Sequence, residues 1–257
     1  MKMEIFREEK LQSPDDLKQI EELSNYIKGS PGEWITKFDN FPKYIQRTAL
    51  SKFLARYEIF KMQIDIPGSV VELGVGRGAS LLSWAQLSTV FEPVNYIRHI
   101  IGFDTFEGIP ELDPKDVNKS NEDSRLMRVG GFKVEANIYE DIRKAISIYN
   151  INRPLGHLEK VKIIKGNINE TLPKFLTENQ QIIISLLNLD VDLYRPTKKA
   201  IELLFDRIPK GGVIIFDELN SVLFPGETIA LRETLGINSL RFHRFPWATT
   251  ISYAVLE

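Results

Sequence analysis

From residue 69 onward, short apolar runs alternate with longer segments that repeat apolar residues at helical spacing. Several runs are nearly unbroken, as strands buried on both faces of a parallel sheet are. Such alternation predicts a parallel sheet with helices packed on both faces. The predicted strands are 69–75, 99–104, 161–166, 182–189 and 213–216, and the predicted helices are 79–90, 134–149, 171–176, 197–207 and 227–235.

Two more strands close the chain, at residues 239–244 and 250–256, joined by the short link Pro246-Trp247-Ala248. Because a link this short joins antiparallel neighbours, we expect a hairpin on one edge of the sheet. The fold class is therefore α/β. It has a doubly wound, mostly parallel, seven-stranded Rossmann-like sheet with an antiparallel C-terminal hairpin.

Residues 1–66 have a different pattern, which is mostly helical. The run Ser13-Pro14-Asp15-Asp16 is typical of a helix start, and a second helix is predicted over 43–64. We expect residues 1–66 to form an N-terminal helical extension, either as plain cover for the sheet or as both cover and lid over a substrate. Residues 67–257 are then the main domain.

Residues 107–134 interrupt the alternation with a polar stretch that contains several glycines and prolines. A segment this long without helix or strand is unusual inside a compact domain, and it usually has a function. We predict that residues 107–134 are a lid insertion.

Composition narrows the function classes. The 257 residues are 43% hydrophobic and 26% charged, which is ordinary for a soluble protein. The net charge of -2 gives no general attraction to nucleic acid or to an anionic membrane. The absence of cysteine excludes disulfides, Cys-ligated zinc and thiol nucleophiles. The charged N-terminus resembles no signal peptide and no apolar run could span a membrane, so a cytoplasmic protein is expected.

Glycine recurs at every second position directly after the first predicted strand, as Gly74, Gly76 and Gly78, and a helix-like run begins at Ala79. Glycine lets the backbone come close to a ligand, and a helix N-terminus presents free N–H groups. A nucleotide-sized site is expected at this place in an α/β sheet. The spacing also fits the dinucleotide-binding pattern G-x-G-x-x-[GA].

Glu72, at the end of the same strand, favours one ligand over the other. A carboxylate would repel the pyrophosphate of a nicotinamide cofactor, but it suits the cationic methionine part of S-adenosylmethionine. A plain strand–turn–helix with no ligand is the third reading. In the helix that follows, Trp84 falls at core spacing and is interpreted as packing.

Polar residues also follow the other predicted strands. Asp104, after the second strand, is placed to accept hydrogen bonds from both hydroxyls of a ribose, or else to cap the following turn. Asn167, after the third strand, could bind the adenine edge or be a simple turn residue. Ligands in such sheets bind outside the carboxyl ends of the strands, where these side chains stand.

Asp190, Asp217 and Glu218 follow the fourth and fifth strands, which should be neighbours. Carboxylate oxygens without His or Cys suit a hard cation, Mg²⁺ or another divalent ion such as Ca²⁺. A metal there can bind a substrate hydroxyl, lower its pKa and orient it for attack. The alternative is that Asp190 and Asp192 only cap the helix that begins near Pro196.

Taken together, these segments resemble the macrocin O-methyltransferase (TylF) family of class I methyltransferases, from about residue 67 to residue 235. The resemblance rests on Pro67–Gly78, Asp104–Pro110, Lys165–Pro173, Leu189–Thr197 and Gly211–Glu218. It implies transfer of a methyl group from S-adenosylmethionine to a sugar hydroxyl with the help of Mg²⁺, and it suggests a homodimer. Asp190, Asp217 and Glu218 would be the metal ligands, and Asp190 would also take the hydroxyl proton.

The chain departs from the family at three places. Glu218 and Leu219 stand where the family usually has aspartate and tyrosine, and an arginine is usual near Asn188. The residues and the resemblance together predict a cofactor site. Its members are Glu72, Gly74, Gly76, Gly78, Ala79, Ser80, Asp104, Phe106, Gly166, Asn167 and Asp190.

The function expected from the sequence is therefore an S-adenosylmethionine-dependent O-methyltransferase whose partner is a small-molecule sugar or polyol. A nicotinamide-dependent oxidoreductase on the same kind of sheet is the alternative enzyme. A protein that binds the cofactor without catalysis is the third possibility, raised by Glu218 in place of aspartate.

Overall fold

The computed structural model describes residues 13–257, and this part of the chain contains a seven-stranded sheet. Its strands are β1 Ser69–Leu73, β2 Ile100–Asp104, β3 Val161–Lys165, β4 Ile184–Leu189, β5 Val213–Phe216, β6 His243–Phe245 and β7 Ala248–Val255.

The strands lie in the order β3-β2-β1-β4-β5-β7-β6. The first five are parallel, whereas β7 pairs with β5 and β6 pairs with β7 in antiparallel fashion. The predicted fold class, including the C-terminal hairpin, is confirmed. The order reverses between β1 and β4, and the crevice outside such a switch point is where ligands bind in open α/β sheets.

Eight α-helices occur in the described residues. They are α1 Pro14–Gly29, α2 Trp34–Asp39, α3 Arg47–Met62, α4 Ala79–Phe91, α5 Ile138–Ile151, α6 Ile168–Glu178, α7 Tyr194–Leu204 and α8 Pro225–Thr234. Helix α1 begins where the sequence predicts, because Ser13 and Asp16 each accept a backbone hydrogen bond from the other in a capping box. Helix α2 was not predicted, since its six residues are too few to show a periodic pattern.

The chain divides into two compact units, one ending at Ser51 and the other comprising Lys52–Glu257. This division lies within α3, earlier than the boundary after residue 66 that the sequence pattern suggests. The part of α3 that belongs to the second unit carries its buried residues, Ala55, Ile59 and Phe60.

One core cluster joins the sheet to α6, α7 and α8. It includes Val71, Leu73, Ile101, Phe103, Leu172, Phe175, Leu187, Leu189, Ala200, Ile201, Leu204, Ile214, Phe216 and Leu231. Burial of each large apolar side chain contributes about 1.5–3 kcal/mol, so this cluster fixes the sheet firmly. Because side chains alternate along a strand, Glu72 points to the opposite face of β1 from Val71 and Leu73.

Residues 107–134 contain only a short 3₁₀ turn, Pro114–Asp116. They are nevertheless packed, because the buried Asp116 carboxylate accepts a hydrogen bond from the Tyr194 backbone at 2.6 Å. The Asn121 side chain donates to the Leu223 carbonyl at 2.8 Å. None of the helices between residues 13 and 257 is long and apolar enough to cross a lipid bilayer.

Candidate active site

The carboxyl ends of four parallel strands bring the predicted acidic residues to one edge of the sheet. The backbone N–H of Asp190 donates to the Leu73 carbonyl of β1 at 2.9 Å. The backbone N–H of Asp217 donates to the Leu189 carbonyl of β4 at 3.2 Å. Asp190 therefore stands beside the end of β1, and Asp217 stands beside the end of β4.

The glycines after β1 have different roles. A Cβ at Gly74 would lie 1.8 Å from the Asp190 carbonyl oxygen, so glycine is required there by the close approach of the chain after β4. Gly76 has φ +54°, and a Cβ there would meet no atom within 4 Å. Gly76 thus borders open space directly in front of the N-terminus of α4, where Ala79 and the buried Ser80 begin the helix.

Asp104 holds the glycine loop in shape. Its Oδ2 accepts hydrogen bonds from the backbone N–H groups of Val75 and Gly76, both at 2.8 Å. Its Oδ1 accepts from the backbone N–H of Phe106 at 2.6 Å, which is the turn-capping role that the sequence left open. A carboxylate oxygen can accept two hydrogen bonds, so Oδ1 retains capacity for a ligand hydroxyl.

Glu72 is fully buried in β1, and only one of its oxygens has a partner. Oε2 accepts from Nε1 of Trp84 at 2.7 Å and from Nδ2 of Asn188 at 3.3 Å, whereas Oε1 has none. Burial raises the pKa of Glu72 to about 6, although the Ser80 hydroxyl and the Arg56 charge oppose the shift. A buried carboxylate oxygen without a partner is costly and suits a cationic ligand.

Asn167 is the N-cap of α6, and its side chain accepts from the backbone N–H of Asn169 at 3.0 Å. In the structure Asn167 is therefore a turn residue that caps the helix, which is one of the two interpretations that the sequence allowed. Gly166, just before it, has φ +140° and donates its N–H to the Asp104 carbonyl at 2.9 Å. Gly166 and Asn167 therefore border the same edge as Asp104.

A cluster of acidic side chains lies at the ends of β4 and β5. Burial and the charge of Asp217 raise the pKa of Asp190 well above its ordinary value. Burial, with the charge of Asp217, raises the pKa of Asp192 to about 7. Burial and the neighbouring carboxylates raise the pKa of Glu218 to about 8. The carboxyl groups therefore lie close enough to oppose one another's ionisation.

Two residues of this cluster were missed by sequence reasoning. Glu227, in the first turn of α8, is fully buried, and its Oε1 accepts from the backbone N–H of Glu218 at 3.0 Å. Lys52, from α3, places its ammonium 3.0 Å from Oδ2 of Asp217. No sequence pattern marks either residue as part of a site, because an acid in a first helical turn and a lysine on a helix are usually solvated.

The predicted metal ligands gather at this edge, and their oxygen donors are the kind that a hard cation prefers. Burial with no partner on Oε2 of Glu227 also favours a positive charge nearby. As the side chains stand, however, residues 13–257 include no group of three or more metal-ligating side chains arranged to hold an ion. One oxygen of Asp217 is bonded to Lys52 instead.

Two solved structures are similar to almost the whole chain. The crystal structure of CalS11, a calicheamicin methyltransferase, has 30% sequence identity and a TM-score of 0.88, covering 95% of this chain and 93% of that chain. An apo structure of CalS11, described as a TDP-rhamnose 3'-O-methyltransferase, has 27% identity and a TM-score of 0.81, covering 95% of each chain.

A curated relative from Streptomyces olivaceus is named 8-demethyl-8-(2,3-dimethoxy-alpha-L-rhamnosyl)-tetracenomycin-C 4'-O-methyltransferase. It is 29% identical over 153 residues, which cover 60% of this chain and 53% of the relative. The chain thus spans about half the length of the curated relatives it matches. A family model described as macrocin O-methyltransferase (TylF) matches residues 47–232, well over half of the 257 residues. The chain therefore belongs to the macrocin O-methyltransferase family.

Proposed function

We propose that this protein transfers a methyl group from S-adenosylmethionine to a hydroxyl of a deoxysugar that is carried on a nucleoside diphosphate. The observation that carries the donor half is the buried, unpartnered Oε1 of Glu72, in the strand that leads to the open space at Gly76. The acceptor half is supported by similarity over 95% of the chain to a protein described as a TDP-rhamnose 3'-O-methyltransferase.

In this proposal each residue of the donor site has a defined task. Glu72 binds the cationic amino group of the methionine part, which supplies the missing partner of Oε1. Asp104 uses the remaining capacity of Oδ1 for the ribose hydroxyls, while its other bonds keep the glycine loop in shape. Asn167 lies on the same edge, where its free side-chain amide N–H groups can reach the adenine.

The acceptor hydroxyl needs a base, because a sugar hydroxyl is a poor nucleophile at neutral pH. Asp190 is the candidate, since burial and Asp217 raise its pKa toward the range in which a carboxylate accepts a proton readily. As the hydroxyl oxygen attacks the methyl carbon, the carbon–sulfur bond breaks and the sulfonium becomes a neutral thioether. The hydroxyl proton passes to Asp190, so charge and atoms balance.

Asp190, Asp217 and Glu218 are the residues that would hold a divalent cation such as Mg²⁺. When bound, such a cation would lower the pKa of the acceptor hydroxyl and orient it toward the methyl group. Lys52 already stands beside Asp217, so some positive charge is available at this place without a metal. This part of the proposal rests on the oxygen donors and on the unpartnered Oε2 of Glu227.

The test of the donor half is calorimetric titration with S-adenosylhomocysteine, with and without Mg²⁺, and with NADH as the control. We expect micromolar binding of S-adenosylhomocysteine and none of NADH. The reverse result would favour the oxidoreductase. Tight binding of S-adenosylhomocysteine, but no methyl transfer to TDP-rhamnose or to other sugar hydroxyls, would favour a binding protein without catalysis.

The test of the chemical step is Asp190→Asn. Asp206→Asn is the control, because Asp206 is exposed in the 3₁₀ turn that follows α7. Asp190→Asn should abolish methyl transfer and leave S-adenosylhomocysteine affinity within a few-fold, since separate sites contribute separately. An equal loss of both would mean that Asp190 serves the donor and not the acceptor.

A further inference from the structure

One row of paired residues crosses the sheet from the donor site to the C-terminal hairpin. In strand order from β1 through β4, β5 and β7 to β6, its members are Glu72, Asn188, Ile215, Tyr253 and His243. Residues paired across neighbouring strands share a face of the sheet, so the hairpin side chains of this row lie on the face to which Glu72 points. Neighbouring strands lie about 4.8 Å apart, so β6 stands roughly 10 Å from β5.

Four aromatic rings stack on this face of the hairpin. The ring centroids of His243 and Tyr253 are 5.6 Å apart, and those of Tyr253 and Phe245 are 5.2 Å apart. Phe245 then stacks on Trp247 at 4.8 Å, with an angle of 27° between the ring planes. The rings therefore form one continuous stack that ends at Trp247.

The stack runs toward the edge of the sheet that carries the candidate active site. Strand β6 has the same direction as β5, because each is antiparallel to β7. The register through β7 makes Phe216, the last residue of β5, level with Arg244 on β6. Phe245 is therefore level with Asp217, and Trp247 lies further out, in the turn beyond that edge.

Trp247 differs from the inner rings of the stack. Cross-strand aromatic pairs stabilise a hairpin, which accounts for His243, Tyr253 and Phe245. Trp247 lies in the turn outside both strands, is 44% exposed, and has Phe245 as its one ring neighbour among residues 13–257. A large aromatic ring with an open side is a surface on which a planar ring system stacks.

We propose that Phe245 and Trp247 form the subsite for the base of the nucleoside diphosphate that carries the acceptor sugar. The inference rests on the proposed function, since the acceptor is part of it. With the donor at β1 and the sugar at Asp190 and Asp217, the rest of the acceptor extends along the edge on the side away from the donor. The hairpin lies on that side, and its distance of about 10 Å from β5 leaves room for the diphosphate between the sugar and the base.

The subsite makes a claim about affinity and about selectivity. Trp247→Ala should weaken thymidine diphosphate binding by about tenfold or more, because stacking on an aromatic ring contributes that much. Trp247→Phe keeps an aromatic face and should stay within a few-fold of the wild type. Since stacking uses the face that every base has, uridine diphosphate should bind within a few-fold of thymidine diphosphate.

The binding experiment is calorimetric titration of the full chain with thymidine diphosphate and uridine diphosphate, with and without saturating S-adenosylhomocysteine. Tyr96→Ala is the matched control, because Tyr96 is a 60% exposed aromatic residue in the loop before β2, at the opposite edge of the sheet. Its affinity for thymidine diphosphate should equal that of the wild type. Thermal melts verify that every variant is folded.

The kinetic experiment compares TDP-rhamnose with rhamnose 1-phosphate, which has the sugar but no base. Trp247→Ala should raise the KM for TDP-rhamnose by about tenfold and change kcat by less than about twofold, because the ring does not touch the reacting atoms. The KM for rhamnose 1-phosphate should be the same in both proteins. An equal rise for both acceptors would mean that Trp247 acts on the sugar or on the shape of the site, and would overturn the inference.

Equal affinity of the wild type and Trp247→Ala for thymidine diphosphate would also overturn it, as would absence of binding by the wild type. In the latter case, a KM for an aryl rhamnoside that depends on Trp247 would assign the rings to an aromatic aglycone. Should Trp247→Ala fail to fold, Trp247→Leu decides in its place, because leucine is apolar but has no ring to stack. Failure of the proposed function is seen separately, as absence of S-adenosylhomocysteine binding by the wild type.

Discussion

Trp84 donates its indole N–H to Oε2 of Glu72 at 2.7 Å, while the other oxygen of Glu72 is buried without a partner. Helix α4 thus fixes the carboxylate in one orientation and leaves one oxygen for a ligand. Burial nevertheless makes the charge of Glu72 costly in the free protein, because the bond from Trp84 offsets only part of the desolvation. The same charge is available to the cationic part of a methyl donor.

Replacement of Glu72 should therefore change the stability of the free protein and its affinity for the ligand in opposite directions. We expect Glu72→Gln to raise the melting temperature at pH 8, because it removes a buried charge. We expect it to weaken S-adenosylhomocysteine binding by about tenfold to a hundredfold, since a hydrogen bond to a charged group contributes roughly 1.5–3 kcal/mol. Calorimetry and thermal melts measure both effects, with Glu58→Gln as control, because Glu58 is half-buried and pairs with Lys61 away from Glu72. Unchanged affinity would remove Glu72 from the donor site.

The pH dependence of Glu72 gives a second test, because its pKa is raised to about 6 from an ordinary value of 4.5. The unfolded chain ionises first as pH rises, so the free protein loses stability relative to Glu72→Gln between about pH 4.5 and 6 and no more above that. Affinity for S-adenosylhomocysteine should rise with pH and level off above about pH 7, because the folded protein ionises Glu72 around pH 6. Trp84, Asn188, Ser80 and Arg56 face this carboxylate and favour its ionised form, as a bound cationic group would. A flat affinity profile in the wild type, parallel to that of Glu72→Gln, would contradict the assignment.

Asp104 has two separable contributions, the bonds that shape the glycine loop and the proposed bonds to ribose. We expect Asp104→Ala to lower the melting temperature of the free protein and to weaken S-adenosylhomocysteine binding by about tenfold to a hundredfold. A 2',3'-dideoxy analogue of the ligand tells the contributions apart. If Asp104 binds the hydroxyls, the substitution should weaken S-adenosylhomocysteine more than the analogue. Equal losses in calorimetry would mean that Asp104 acts only through Val75 and Gly76.

The sequence predicted the sheet and the strand ends well, because both follow from local patterns. Apolar runs marked β1, β2, β4 and β5, and the polar residue after each run had to fall at the carboxyl edge. The partners of those residues were not predictable. Asp104 could have faced a ligand or the chain, and only the folded path of Val75–Gly76 brings two N–H groups to one of its oxygens.

The residues that were missed share a physical cause. Lys52 and Glu227 come from helices far apart in the chain. On the sequence of its own helix, each is expected to be an ordinary solvent-exposed charged residue. They reach the cluster only because the fold brings Lys52 to Asp217 and Glu227 to the backbone of Glu218, which no local pattern describes. Trp84 was correctly interpreted as a buried helix residue, but its indole N–H bond to Glu72 depends on how α4 is rotated against β1.

The insertion at 107–134 allows a test of the lid prediction by limited proteolysis. Asp116 and Asn121 tie the segment around residues 113–121 to α7 and to the loop before α8. Residues 128–130 are exposed, and the backbone bonds beside them run to Ile109 within the insertion, while the neighbouring Met127 packs with Leu193 and Phe224. Trypsin should therefore cut after Arg128 before it cuts after Lys115, and cutting should slow when S-adenosylhomocysteine and a sugar acceptor are bound.

The variant that sharpens this test is Asn121→Ala, because it removes three side-chain hydrogen bonds. The Asn121 amide donates to the carbonyls of Asp116 and Leu223, both at 2.8 Å, and its Oδ1 accepts from the backbone N–H of Asn118 at 2.7 Å. Loss of these buried bonds costs roughly 1–3 kcal/mol each, so the anchored part should open more often. We expect cleavage after Lys115 to become at least several-fold faster, as followed by mass spectrometry of the fragments. Ligands that leave the cleavage rate after Arg128 unchanged would show that residues 107–134 form a fixed wall of the site and not a lid.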